Sequence, residues 1–389
     1  MTARASAAPV ATDRWFARPA SRQWRARPSS VSARGCHRAL PGYARSMLVP
    51  DAAAARRWGM RSVLVKDESE RFGVASFKAL GASYAIARIL AERSGTPLCS
   101  SWVDLTKQAA HARITLVTAT DGNHGRAVAH FAAALGLNAE VVVPAVMSET
   151  VVASIAGEGA EVIRTELTYD QAVRAAAHSV QADSERVLVQ DTAWPGYEVV
   201  PGWIVQGYQT MLEELDEQLD ALGLGEPDLV AVPVGVGSLA QAVVTFYRQH
   251  DRTTSVLSCE PDTAACILAS LCEQALTSVD TGHTTMAGLN CGTPTTLGWP
   301  VLREGLDAAV AVSDAEAVRA VKALSVIGVH AGPSGAASLA GVEAVLSGPG
   351  ADERRELLGL DADSVVVLLS TEGSGTWSRV ERAQAHRGT

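Results

Sequence analysis

The chain has 389 residues, 47% of them hydrophobic and 19% charged, which is enough to bury a large core and too apolar for a disordered protein. A formal net charge of −9 argues against nucleic acid or an anionic membrane as the main partner, so a small anionic substrate would need local positive charge or helix N-termini. No apolar run approaches the roughly 18 residues of a membrane span, and the six cysteines form no short CxxC pair, so neither a membrane nor a metal site is expected.

Residues 1–35 are rich in Arg, Ala and Ser, with Asp13 as their only acid. They are expected as a loosely ordered tail, although a transit peptide reads the same way. From Ser62 onward, short β-branched runs alternate with longer helical patterns. Strands are expected at 63–65, 114–118, 140–143, 161–164, 229–233, 256–259 and 365–369. Helices are expected at 125–135, 149–158, 169–182, 204–222, 238–249, 315–327 and 335–346. Such alternation indicates parallel sheets covered on both faces. The strands fall into two clusters. A small domain, 96–199, is therefore expected inside a large one built from 36–95 and 200–389, with the site in the cleft.

The chemistry-bearing stretches follow in order. After Val63–Val65 the chain turns through charged residues and Gly73, then starts a helix with Ser76 as N-cap and Phe77, Leu80, Tyr84 and Leu90 as its apolar face. Lys78 sits in the first turn, where the helix field and the apolar neighbours both favour a neutral amine able to attack a carbonyl. A solvated lysine is the plainer alternative. Thr118 to Arg126 ends a strand and opens a helix, with Gly122 and Gly125 permitting a tight turn whose N–H groups form an anion site. An ordinary Asn-capped turn reads alike. Gln190 to Tyr197 follows a strand at 187–189 and by itself reads as a loop. Pro233 to Leu239 offers Gly-x-Gly amides and Ser238 as helix cap. It lacks the third glycine of a dinucleotide fingerprint and a Walker lysine, and so suits a single phosphate monoester.

In this order the blocks resemble the tryptophan-synthase-β (fold type II) family of pyridoxal-phosphate enzymes, and within it the diaminopropionate ammonia-lyases. The likeness rests on Cys36-His37-Arg38 with Pro41-Gly42-Tyr43, and on Lys66-Asp67-Glu68-Ser69, Arg71-Phe72-Gly73, Phe77-Lys78 and Leu80-Gly81. It continues through Gly122-Asn123-His124-Gly125, Gln190-Asp191-Thr192-Ala193-Trp194 with Gly196-Tyr197, and Met286-Ala287-Gly288-Leu289 with Leu297-Gly298-Trp299. It implies an α/β fold of two parallel-sheet, three-layer domains with pyridoxal 5'-phosphate in the cleft. Lys78 would hold the cofactor, Asn123 would bond its phenolic oxygen, and Gly235, Val236, Gly237, Ser238 and Leu239 would take its phosphate. Ser370 would face the pyridine nitrogen, with Thr371 as the neighbouring alternative. His124 is expected as structural support, and Trp194 and Tyr197 as packing or a lid.

Asp121 and Asp191 would be the catalytic carboxylates, each serving one mirror form of the substrate. Hydroxyamino-acid dehydratases usually carry serine at the place of Asp121. A carboxylate there suits a substrate with a second ammonium on its β-carbon. The implied activity is α,β-elimination of 2,3-diaminopropionate to pyruvate and two ammonia. A serine/threonine-type dehydratase, a β-replacement synthase and a non-catalytic binding relative are the alternatives. The resemblance further implies a cytoplasmic homodimer acting on a small amino acid. Cysteines are expected as reduced thiols, with a Cys266–Cys291 disulfide as the minority case.

Overall fold

A computed structural model describes residues 10–27, 31–98, 101–120 and 122–376. Its strands are β1 (Val10–Thr12), β2 (Trp15–Ala17), β3 (Met47–Pro50), β4 (Ser62–Asp67), β5 (Thr115–Ala119), β6 (Asn138–Pro144), β7 (Glu161–Thr165), β8 (Arg186–Leu188), β9 (Leu229–Pro233), β10 (Ser255–Pro261), β11 (Ala308–Val312) and β12 (Val365–Ser370). The chain divides into two compact units. The first takes residues 1–30, 46–69 and 211–373; the second takes 31–45, 70–210 and 374–389. The helix Lys78–Ser94 thus goes with β5 to β8, because it packs on the helices Trp102–Ala112 and Asn123–Leu135.

The first unit carries an eight-stranded sheet in the order β1-β2-β11-β10-β9-β12-β4-β3. Its middle strands, from β11 to β4, run parallel. β9, β10, β11 and β12 are buried at every position, which explains their small and apolar runs, broken only by Glu260 in β10. Small residues let the covering helix Pro333–Val345 lie directly on the sheet: a Cβ at Gly341 would come within 2.3 Å of Cys259 Sγ. Antiparallel strands close both edges, β3 on β4 and the β1-β2 hairpin on β11.

That hairpin corrects the expectation of a loose tail for residues 10–27. Trp15, Phe16 and Ala17 are buried, and β2 pairs with β11. Arg22 Nη1 donates to Ser255 Oγ at 3.0 Å and to the Leu358 carbonyl at 2.9 Å. Arg14 Nη2 donates to the Ala311 carbonyl at 2.9 Å and to Glu316 at 2.6 Å. Arg14 and Arg22, two of the arginines that make the composition leader-like, are docking side chains here.

The second unit holds a four-stranded, all-parallel sheet in the order β7-β6-β5-β8. Val117, Ala119, Val142 and Leu188 pack there against Ala172, Val173 and Ala176 of the helix Tyr169–Ser179. The helix Lys78–Ser94 approaches the helix Val199–Ala221 through glycines. A Cβ on Gly81 would lie 2.5 Å from Tyr208 Cε1, and one on Gly207 would lie 2.5 Å from the Leu80 carbonyl oxygen. Parallel sheets flanked by helices are the expected α/β class. Among the described residues no helix is long and apolar enough to cross a membrane.

Candidate active site

In each unit the candidate residues follow the C-terminal ends of neighbouring parallel strands, the place where open α/β sheets bind ligands. In the second unit β5 and β8 are neighbours, with Val117 opposite Leu188. The chain leaving β5 carries Asn123 and His124, and the chain leaving β8 carries Gln190 and Asp191. In the first unit β9 and β12 are neighbours, with Leu368 opposite Ala231. The turn 234–238 follows β9, and Ser370 ends β12.

Lys78 opens its helix as expected. Phe77, not Ser76, holds the N-cap position, yet Ser76 Oγ still accepts from the Lys78 backbone N–H at 3.2 Å. The Lys78 side chain is 18% exposed, and its Nζ pairs with Asp191 Oδ2. The helix field argues for a neutral amine, but this carboxylate supports a positive charge on the nitrogen. The two residues are 113 positions apart, so no local pattern reveals the pair.

Asp191 is 4% exposed. Burial, the largest single influence, would raise its carboxyl; the charge and hydrogen bond of Lys78, the His124 ring and a backbone N–H together outweigh it and hold the carboxyl down to about 2. Its neighbour Gln190 is fully buried. Gln190 Oε1 accepts from Thr118 Oγ1 at 3.1 Å and the Ala119 N–H at 3.0 Å, while Nε2 donates to Asp191 Oδ1 at 3.4 Å. Gln190 therefore ties the exit of β5 to the Asp191 loop, a function the motif alone does not announce. Tyr197 Oη accepts from the Gln190 N–H at 2.9 Å and donates to the Leu188 carbonyl at 3.0 Å, with its ring stacked on Trp194. Both aromatics shape the loop, matching the packing role expected of them.

The turn after β5 is organised by Thr120, which sequence reasoning passed over. Its buried hydroxyl accepts from the Gly122 and Gly125 N–H groups, each at 3.0 Å. Gly125 is required here, since a Cβ would meet Thr120 Cγ2 at 2.4 Å and Val141 Cγ1 at 2.7 Å. Asn123 begins the following helix and is half-buried. His124 is buried, its Nε2 2.7 Å from the Val189 carbonyl and its Nδ1 3.9 Å from Asp191 Oδ2. Asp121 lies outside the described residues.

In the first unit the turn after β9 is tightly enclosed. A Cβ at Gly235 would lie 3.0 Å from Cys291 Sγ and 3.4 Å from the Gly288 carbonyl oxygen. Cys266 Sγ donates to the Gly235 carbonyl at 3.6 Å. Both cysteines are buried thiols in the structure. Gly237, with φ of +99°, holds the N-cap position of the helix Ser238–Tyr247, and no side chain caps it. This corrects the assignment of Ser238 as cap: it is the first helical residue. An uncapped helix start still offers N–H groups to an anion.

Ser370 is fully buried, and among the described residues its Oγ has no hydrogen-bond partner. A buried hydroxyl without a partner is costly unless a ligand completes it. Close by in the chain, Glu372 Oε1 accepts from the Ser334 N–H at 3.1 Å, at the start of the helix Pro333–Val345. Glu372 gave no signal in the sequence. The structure thus brings Lys78 and Asp191 into contact, and it sets Gly235 to Leu239 just after β9, the strand that pairs with the β12 strand ending in Ser370.

A family model described as pyridoxal-phosphate dependent enzyme matches residues 39–371. Diaminopropionate ammonia-lyase of Escherichia coli (strain K12) is 37% identical over 351 residues, spanning 88% of this chain and 87% of its own. The crystal structure of the Escherichia coli enzyme in complex with D-serine matches with a TM-score of 0.83 at 33% identity, over 94% of this chain and 95% of that one. A second structure of that enzyme, in complex with an aminoacrylate-PLP azomethine reaction intermediate, matches with a TM-score of 0.80 at 35% identity, over 92% and 91%.

Proposed function

The chain belongs to the pyridoxal-phosphate dependent enzyme family, and from its likeness to the Escherichia coli enzyme we propose that it is a diaminopropionate ammonia-lyase. It is a lyase that eliminates ammonia across the α- and β-carbons of 2,3-diaminopropionate. With one water, the products are pyruvate and two ammonia. The observation that carries this reading is near-full-length likeness to an enzyme of that activity, joined to a lysine at a helix start paired with a buried aspartate.

The residues fit the cofactor. The uncapped helix start at Ser238 suits its phosphate, and the partnerless Ser370 hydroxyl suits its ring nitrogen. Lys78 would hold its aldehyde carbon, and Asn123 its phenolic oxygen. When bound, pyridoxal phosphate withdraws electrons from the substrate and makes the α-proton acidic. A serine at the ring nitrogen leaves that nitrogen less positive than an aspartate would, which suits elimination.

The protein's own groups move the protons. Asp191, held as a carboxylate by Lys78, takes the α-proton from one face of the substrate. Asp121, from the resemblance of its motif, would pair with the β-ammonium and serve the other mirror form. Lys78, freed when the substrate amine takes its place, is the partner of Asp191 in the α-proton transfer, and the β-ammonium leaves as ammonia with the electrons of its C–N bond. The enamine that leaves hydrolyses to pyruvate and the second ammonia. A homodimer and a cytoplasmic setting accompany this reading; sedimentation of the purified protein tests the first. Keto-acid release from 2,3-diaminopropionate compared with serine and threonine tests the substrate. A preference for serine or threonine would make the protein a dehydratase instead.

A further inference from the structure

His124 has no part in the reaction as described so far. We propose that it is a positioning residue for Asp191, whose Nδ1 lone pair receives the carboxyl proton that Asp191 carries during turnover. This rests on Asp191 being an acid–base group.

The tautomer is set first. His124 Nε2 lies 2.7 Å from the Val189 carbonyl oxygen, which can only accept, so Nε2 carries the ring's hydrogen. In the neutral ring Nδ1 is then an acceptor. Burial lowers the proton affinity of the ring, against the Asp191 charge that raises it, and the net direction is downward. Nδ1 is buried and has no hydrogen-bond partner among the described residues. It lies 3.9 Å from Asp191 Oδ2, the oxygen that Lys78 Nζ pairs with, about 1 Å beyond a hydrogen bond.

A lone pair aimed at a carboxylate oxygen gains nothing while that oxygen is anionic. Once Oδ2 takes a proton it becomes a donor, and Nδ1 is a buried acceptor already facing it. Lys78 thus favours the charged form of Asp191; a positive His124 would do the same, but burial keeps that ring neutral, and a neutral Nδ1 can accept from the carboxyl once it carries a proton. Among the described residues, the Tyr197 and Tyr208 hydroxyls also bear on this carboxylate. Burial raises both well above their ordinary value, so they do not exchange protons with it near neutrality.

Two substitutions separate this role from a purely structural one. In His124→Gln the amide nitrogen reaches the Nε2 place and keeps the Val189 bond, but nothing accepts at the Nδ1 place. In His124→Asn the side-chain oxygen occupies the Nδ1 place and the Val189 bond is lost. In the holoenzyme, His124→Gln is expected to lower kcat about tenfold with KM little changed. The loss should fall on the mirror form that Asp191→Asn also impairs, and the acid limb of the kcat–pH profile should move. His124→Asn should keep most of kcat. The reverse order, with Asn worse than Gln, or equal losses on both mirror forms, overturns the proposal. If Asp191→Asn leaves both mirror forms untouched, the reading of Asp191 fails and takes the proposal with it. Nitrogen-15 NMR of the cofactor-free protein gives an independent readout: His124 should be neutral and protonated on Nε2 at pH 7. A proton on Nδ1 would contradict it.

Discussion

Under the proposed reading, the chemistry turns on the contact between Lys78 and Asp191. Lys78→Ala should abolish both the visible absorbance of bound cofactor and pyruvate formation; a variant that keeps making pyruvate would remove Lys78 from the mechanism. The ion pair also has a signature in stability. The folded-state carboxyl of Asp191 sits at about 2, below its ordinary 3.8, so its contribution is present above pH 3.8 and lost as pH falls through about 2. That contribution is on the order of 2 kcal/mol. Urea unfolding of Asp191→Asn should show a shallower loss of stability over that acid range than the parent protein. Lys78 and Asp191 stand out through motifs that resemble a known family, since the placement of Lys78 alone leaves a solvated lysine open. Their pairing was not legible, because the contact is made by tertiary folding and not by spacing. Gln190 and Thr120 were missed for the same reason: a neutral polar residue beside a motif becomes informative only once its hydrogen bonds are seen.

Close approaches between elements decide where these residues sit. Gly207→Ala would push a methyl to 2.5 Å from the Leu80 carbonyl oxygen, in the helix that Lys78 opens. It should cost about 1–3 kcal/mol in urea unfolding and weaken cofactor binding with it. Helix Cys266–Glu273 is held by Glu260, whose carboxyl oxygens accept from the Ile267 N–H at 2.7 Å and the Leu268 N–H at 2.9 Å. Burial pushes that carboxyl up to about 8 against those two bonds. The stability linked to its protonated form is present below pH 4.5 and lost as pH rises through about 8, so Glu260→Gln should flatten the fall of Tm across that window. An unchanged slope would remove Glu260 as its source. Long β-branched strands and amphipathic helices were readable from periodicity. β11, with Ala308-Ala309-Val310-Ala311-Val312, escaped because alanine carries little strand signal, and β1 to β3 are too short to show a period.

At the scale of the whole molecule, alternating strands and helices announced parallel α/β architecture, and both sheets have it. The N-terminal segment did not read correctly, because its arginines were counted as composition while Trp15 and Phe16 carried the packing signal. Removing residues 1–18 should therefore destabilise the first unit, which unfolding by urea would register as a lower midpoint; an unchanged midpoint would mean the hairpin adds nothing. Pyridoxal phosphate bound to the folded protein should raise its Tm in a concentration-dependent way. The most direct measurement is turnover by the purified protein loaded with pyridoxal phosphate and given 2,3-diaminopropionate. Pyruvate and ammonia should appear in a ratio of one to two, faster than keto acid from serine or threonine. Tight cofactor binding through Lys78 with no pyruvate from 2,3-diaminopropionate would contradict the assigned reaction.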